Sequence, residues 1–532
     1  MTLDAAIRRQ DIAFDFVSAK KICPLEHMII IAYNRIMVRK KRSRAKSFFS
    51  VVVIFGVVFA AALFGIQFIT KTGFFRIPGV VYYDESLSAD ERGVLESIFT
   101  EEVDLDKDVT ISAYESLEKP NLEEGEYIYN IYVPVADFYS VDTNIEVDEP
   151  WKLFADAYEG MIAHDMIAVD DLTFSSKLLS INGSYYLDEF DKGAVFRVVK
   201  FDSDKFDEEI KPLVDSSFAK TYPEKNDVLT LAQTGVTALS RGMNTKLAQV
   251  GDARYFSEKI AGFLSGFDLT HTSNESSFTN YATGDNICSD PRFIDTLTAI
   301  GLDIVELTGN HNQDCGLEAA RQSIDLYNEK GIRTVGGGKT ADEAAVPLNI
   351  DEKGNNVTFL AYNQSTGGAT LGNTPGANQY YEENAVSEIN AAKERGDFVI
   401  VDIQYYECSA YASEYEDPTC DAANSSAGDQ VGFFRHLIDL GADMVVGTSA
   451  HQPQTFELYG DGVIYYGLGN LFFDQIWWPG TTRSLVLVNY FYKDKLLQTK
   501  IVPTVYDASM QTQLLDEETS KWFLQRLINV KP

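Results

Sequence analysis

The stretch Leu307–Gly316, LTGNHNQDCG, places an amide, an imidazole and a carboxylate close together at Asn310, His311 and Asp314. An Asn carbonyl oxygen and a neutral imidazole nitrogen can both serve a metal ion, and the N–H groups of the same side chains can serve an oxyanion. The apolar run Gly301–Leu307 reads as a buried strand, and Leu317–Lys330 as a helix. These residues therefore stand at the carboxyl end of a strand, where open α/β sheets hold ligands. A plain strand-to-helix turn is the competing account. Asn310 would then accept a left-handed backbone and Asp314 would cap the helix.

The chain that must position them has 532 residues, 45% of them hydrophobic, enough for two or three domains with sizeable cores. Its formal net charge of −34 repels nucleic acid over most of the surface, so no nucleic-acid partner is expected. Ser47–Thr70 contains no charged residue and exceeds the roughly 30 Å hydrocarbon core of a bilayer. The basic run Arg39–Lys46 precedes it directly. The expected arrangement is a single-pass anchor with a cytoplasmic N-terminus, residues 1–46, and everything after Lys71 outside. A cleaved signal peptide is the alternative, disfavoured by the distance from Met1 and the lack of a small-x-small site. Cys288, Cys315, Cys408 and Cys420 then lie in a disulfide-permissive space. The expected pairs are Cys408–Cys420 and Cys288–Cys315, against the alternative of four inert buried thiols.

Residues 81–224 form an acidic α/β region, with a helix at Ala89–Phe99, strands at Tyr127–Val133 and Gly193–Val199, and a helix at Trp151–Met161. Within it Val133–Phe154 resembles the hinge of an extracytoplasmic solute-binding protein. After a boundary at Pro223–Asn226, strands and helices alternate regularly. Strands are expected at Val228–Gln233, Leu269–Thr272, Ile304–Leu307, Val357–Tyr362, Phe398–Ile403 and Met444–Val446, with helices at Tyr255–Ser265, Pro291–Ile300, Ala385–Arg395 and Val431–Leu440 between them. Leu485–Tyr492 and Leu497–Val502 suggest a closing antiparallel pair, and 507–532 a terminal helix. Such alternation implies a layered α/β domain.

Several phrases stand in a telling order: GVTALSR at Gly235–Arg241, DLTHTSNE at Asp268–Glu275, the Asn310 turn, LYNEKGIRTVGGG at Leu326–Gly338, QYYE at Gln404–Glu407, GTSAH at Gly447–His451 followed by Gln452-Pro453-Gln454, and IYYGLGNLFF at Ile464–Phe473. Over 227–506 the chain resembles the capsule biosynthesis protein CapA family, associated with poly-γ-glutamate synthesis or export and similar in fold to calcineurin-like metallophosphatases. The resemblance implies a metallophosphatase-like α/β sandwich, here preceded by one transmembrane helix and a smaller α/β domain. It also implies metal ligands, several of which are missing. The first-strand Asp is Val236, the strand-end His is Gln404, one His of the paired motif is Ser449, and the Asn before Glu275 is Ser273 or is displaced to Asn274. Glu275, Asn310, His311 and His451 remain as donors. They suffice for at most one divalent metal ion, through Glu275, Asn310 and His451, held weakly unless Glu407 or Asp314 joins.

Two functions follow as expectations. In the first, a membrane-anchored protein takes part in capsule or poly-γ-glutamate-type polymer synthesis, export or anchoring. It would bind the polymer, or serve its membrane synthase complex, through Arg241, Asn310, Asp314, His311, His451, Gln454 and Asn470, with Tyr405 and Tyr406 stacking on the chain. In the second, a metallophosphatase-type hydrolase cuts a phosphoester or γ-glutamyl amide bond. His311 would then be the acid and Glu275 or Glu407 the base.

Overall fold

The computed structural model describes residues 79–530, apart from 100–104, 106, 150–152, 154–163, 216, 219–221, 366, 371 and 406–428. The apolar run Ser47–Thr70, the Trp151–Met161 helix except Leu153, Tyr406, Glu407, Cys408 and Cys420 lie outside the described residues. Among the described residues no helix is long and apolar enough to cross a membrane. Val80–Pro532 is one compact unit.

Its first part is a mixed sheet in the order Val81–Tyr83, Val109–Ser116, Val195–Asp202, Glu126–Asp137, Asp165–Ala168, with Ser176–Leu178 also on the long Glu126–Asp137 strand. The Ala89–Ile98 helix begins with a reciprocal cap: Ser88 Oγ accepts from the Glu91 N–H at 3.2 Å, and Glu91 Oε2 from the Ser88 N–H at 2.7 Å.

Two further sheets build the second part. In the first, Arg333–Val335, Ile304–Glu306, Leu269–Asn274 and Leu229–Thr237 run parallel. Arg483–Tyr492 then joins Leu229–Thr237 antiparallel, and Lys495–Val505 joins Arg483–Tyr492 antiparallel, which is the expected closing pair. The second sheet runs Leu348–Glu352, Asn355–Asn363, Phe398–Gln404, Met444–Gly447, Gly462–Tyr465, Phe456–Tyr459. The two sheets share a core: Leu229, Leu231, Leu269 and Ile304 meet Phe359, Ile400, Val446 and Tyr465. Leu247, Leu297 and Tyr327 cover the outer face of the first sheet. Ile389, Phe434 and Leu437 cover the second. Strands buried on both faces read as continuous apolar runs, which is why they are visible in the sequence.

The expected Tyr255–Ser265 helix is broken into a 3-10 turn, Ala253–Phe256, and a short helix, Ala261–Leu264. Phe256, Ile260 and Leu264 do point inward at helical spacing. The Ser257 hydroxyl, however, donates back to the Arg254 carbonyl and ends the turn. The Gly242–Val250 helix and the Leu348–Glu352 and Phe456–Tyr459 strands were not expected. The terminal helix spans Glu517–Asn529, with Asp516 as its cap.

Candidate functional site

The carboxyl ends of the parallel strands bring Glu275, Asn310, Gln404 and His451 to one place. Glu275 follows the Leu269–Asn274 strand, and its N–H donates to the Thr237 carbonyl at 3.0 Å. Its side chain is buried. Gly309 passes so close that a Cβ there would sit 2.7 Å from the Glu275 Cα, so only glycine allows the approach. This contact delivers Asn310, whose Oδ1 accepts from Gln404 Nε2 at 3.1 Å. The Asn363 amide donates to the Thr308 carbonyl at 2.7 Å and clamps the start of the same turn to the other sheet.

His451 is buried between three neighbours. Its Nδ1 donates to Asn470 Oδ1 at 2.8 Å, its Nε2 faces Glu275 Oε2 at 3.9 Å, and its ring leans on Phe473 with centroids 5.2 Å apart. The tautomer follows from the network. Asn470 Nδ2 donates to the Thr481 carbonyl at 3.0 Å, which can only accept, so Oδ1 must face the imidazole and Nδ1 must carry a hydrogen. Asn470 is therefore a strut in a strand that pairs with Val236, and the tight turn falls on Gly469, at φ +77°.

Arg241 sits at the rim. Its Nε and Nη2 both bond Asp474 Oδ1, at 3.0 and 2.5 Å, and Asp474 Oδ2 accepts from the Gly242 N–H at 2.9 Å. The guanidinium lies over Phe473 and Trp477, 4.4 and 5.9 Å from their centroids. Arg241 has φ +49° and ψ −118°, a strained backbone for a residue with a Cβ. Asp474 holds it there from both side chain and main chain.

Other expected site residues are placed differently. His311 and Asp314 bond each other on the surface of the turn, Nδ1 to Oδ2 at 2.7 Å. Asp314 does not cap the following helix, whose N-cap is Gly316. The left-handed backbone expected at Asn310 falls on Gly316, at φ +88°. Tyr405 does not present its ring to a polymer. It is buried between Phe433 and Phe434, because the residue after Gln404 must face the opposite side of the strand. Gln454 is engaged with Gln430 through paired amide bonds of 3.1 and 3.2 Å. The expected disulfide Cys288–Cys315 is present and ties the loop after Glu275 to the Asn310 turn.

Sequence reasoning missed one group altogether. Asp402, two residues below Gln404 on the same strand face, lies with its Oδ2 3.0 Å from His271 Nε2. Neither Asp402 oxygen nor either His271 nitrogen is in an aligned hydrogen bond. The His271 ring stacks on Phe359 at 5.5 Å. Glu306, fully buried, accepts from the Thr308 N–H. Burial, and then the Asp402 carboxylate, push the Glu306 carboxyl up to about 7. The signal was available as single ionisable residues inside apolar runs, FVIVDIQ and DIVEL.

The expected divalent metal would draw on Glu275, Asn310 and His451. Among the described residues no group of three or more His, Cys, Asp or Glu side chains is placed to hold one. Asn310 Oδ1 accepts from Gln404 with one of its two lone pairs, and the Nδ1–H bond to Asn470 leaves Nε2 as the acceptor atom of the His451 ring, facing Glu275.

Comparison with known proteins places this site. Residues 230–475 match the family described as bacterial capsule synthesis protein PGA_cap. Over 284 residues the chain is 24% identical to the capsule biosynthesis protein CapA of Bacillus anthracis, covering 51% of this chain and 65% of that protein. It is 26% identical to the PGA biosynthesis protein CapA of Bacillus subtilis strain 168 over 284 residues, covering 52% and 70%. A probable polyglutamine synthesis accessory protein of Mycobacterium tuberculosis is 26% identical over 194 residues, covering 34% of this chain and 48% of that one. A crystal structure from Thermus thermophilus covers 50% of this chain and 99% of its own, at 13% identity and a TM-score of 0.29, too slight a likeness to argue from. Residues 230–475, which carry Glu275, Asn310 and His451, match the bacterial capsule synthesis family, and the chain is similar to the CapA proteins of Bacillus.

Proposed function

We propose that this chain is a membrane-anchored, extracytoplasmic accessory protein of capsule or poly-γ-glutamate-type polymer synthesis, export or anchoring. Its cleft binds the acidic polymer, or a segment of it held by the synthase complex, without cutting it. One observation carries the reading: Gln404, standing where the family resemblance implies a metal-binding histidine, uses its amide to hold Asn310, one of the residues left to serve a metal. An amide in place of a ligand suits hydrogen-bond recognition better than metal-assisted hydrolysis, which needs several protein ligands around an open position. Arg241, fixed by Asp474 at the rim, would meet a carboxylate entering the cleft. The uncharged run Ser47–Thr70 after a basic segment supports the anchor, and the Cys288–Cys315 bond suits an oxidising compartment.

The test uses purified full chain treated with chelator and titrated with poly-γ-glutamate. Binding that survives chelation and weakens at least tenfold in Arg241→Gln and His451→Ala is the expected result. Release of new amine or carboxyl ends from the polymer, restored by added metal and lost in Glu275→Gln, would replace this reading with the hydrolase.

A further inference from the structure

Apart from the His451 site, a cavity of about 120 Å³ lies where the two parts of the compact unit meet. The end of the Glu126–Asp137 strand, the Ser176–Leu178 strand, the Lys495–Val505 strand and the Glu517–Asn529 helix enclose it. The junction is tightly made. Gln498 accepts from the Leu178 N–H at 3.0 Å and donates to the Ser176 carbonyl at 2.7 Å, and Phe138 packs edge-on against Phe456 at 5.6 Å. Phe138, Leu178, Phe456, Ile501 and Ile528 make the walls apolar.

One ammonium enters this apolar space. Lys177 Nζ donates to the Ser140 carbonyl at 2.7 Å, which uses one of its three N–H groups. Among the described residues no carboxylate is within ion-pair distance of it. Asp142 and Lys521 are the charges that act on it, with opposite signs, and Lys521 is itself paired with Glu517 at 2.8 Å. Lys500, also lining the cavity, is bonded to Asp188 at 3.2 Å and lies over the Tyr185 ring. In a chain of net charge −34, this cavity presents cations and hydroxyls, the latter from Thr143 and Ser180. Burying an ammonium without a counter-charge is costly, and burial pushes the Lys177 pKa down to about 8.

We propose that this cavity is a binding site for a small monocarboxylate, its charged end on Lys177 and its apolar body against Phe138, Leu178, Phe456 and Ile528. A cavity of about 150 Å³ takes a benzene, so this slightly smaller and partly open space seats a carboxylate and a short apolar body, with the far end of a hexanoate or benzoate at its opening. A free metabolite and the end of a longer acyl chain share this chemistry.

The experiment is calorimetric titration of the full chain with hexanoate and benzoate, with hexanol and hexylamine as controls and octanoate and dodecanoate as longer probes. Saturable binding of hexanoate or benzoate, at least tenfold weaker in Lys177→Met, is the expected result. The affinity should also fall as pH rises through about 8, where the ammonium loses its charge. Ile528→Trp, which fills the cavity and keeps the lysine, should abolish binding with the fold intact by circular dichroism. Tighter binding of dodecanoate than of hexanoate would identify an acyl chain as the occupant, and the reverse a free small acid; both support the site. The proposal is overturned if neither short carboxylate binds, if hexanol binds as well as hexanoate, or if Lys177→Met binds hexanoate unchanged.

Discussion

Among the described residues, the charge cluster around Arg197 and the one around His271 are both buried and are built on opposite terms. In the first sheet, Arg197 bonds Glu91 through Nε and Nη2 at 2.7 and 2.8 Å, Glu115 through Nη1 at 2.6 Å, and the Ser86 carbonyl at 2.6 Å. Burial works against the Glu91 carboxylate, yet the guanidinium and the Ser88 N–H hold its pKa below the ordinary value. Between the other two sheets, His271, Asp402 and Glu306 are close but poorly aligned, and Glu306 is pushed up to about 7. A rigid guanidinium fork can satisfy two carboxylates at once. A single imidazole against two carboxylates cannot, so a proton has to supply what geometry does not. The first cluster is a fixed tie. The second is titratable and lies just below the cleft.

Arg197→Met is the largest break in this contrast. It strands Glu91 and Glu115 and should cost about 3–5 kcal/mol in urea unfolding. A loss under about 1 kcal/mol would show that the carboxylates simply protonate or reach water.

The second cluster should show itself in the pH dependence of stability. A carboxyl whose folded pKa exceeds its unfolded value of about 4.5 favours the folded state while protonated. Its contribution is complete below about 4.5 and is lost as pH rises through about 7, to an extent of at most about 3 kcal/mol. Glu306→Gln should flatten this part of a stability-against-pH profile measured by urea titration. A slope unchanged in the variant would assign it to other groups.

A smaller effect, of opposite sign, is expected from His271→Phe combined with Asp402→Leu. Replacing a misaligned buried pair by apolar side chains should be neutral or stabilising by about 1–2 kcal/mol. The same treatment of Arg197 and its partners should not be, and equal responses would remove the distinction. His311→Ala is the smallest change. Its bond to Asp314 is at the surface, so stability should move by less than about 1 kcal/mol in the same urea assay.

The strands were legible because both their faces are buried. FVIVDIQ, for example, announces itself as a strand by its apolar run. Its functional content was not. Gln404 was read only as a missing ligand, and the structure makes it the donor that orients Asn310. Tyr405 was assigned to the polymer because it sits in the motif, yet strand alternation sends it into the aromatic core behind the sheet. His311 and Asp314 were grouped with the site by adjacency and instead satisfy each other. His271 was passed over because nothing near it in the chain is its partner. Asp402 lies 131 residues away, 402 minus 271.

The sequence by itself determined the alternation of strands and helices, the match of residues 230–475 to a capsule synthesis family, and the absence of acid and imidazole at Val236, Gln404 and Ser449. Each of these is written in residue type and local spacing, which the chain carries without folding. Only the tertiary structure decided which side chains close the cleft, that Asp474 is the partner of Arg241, that a half-satisfied charge cluster lies beneath Asn310, and that Lys177 ends in an apolar cavity. Those facts depend on which strands become neighbours and which face of each turns inward. Packing of distant segments sets both, and a hydrogen bond or a desolvated charge exists only once that packing is complete.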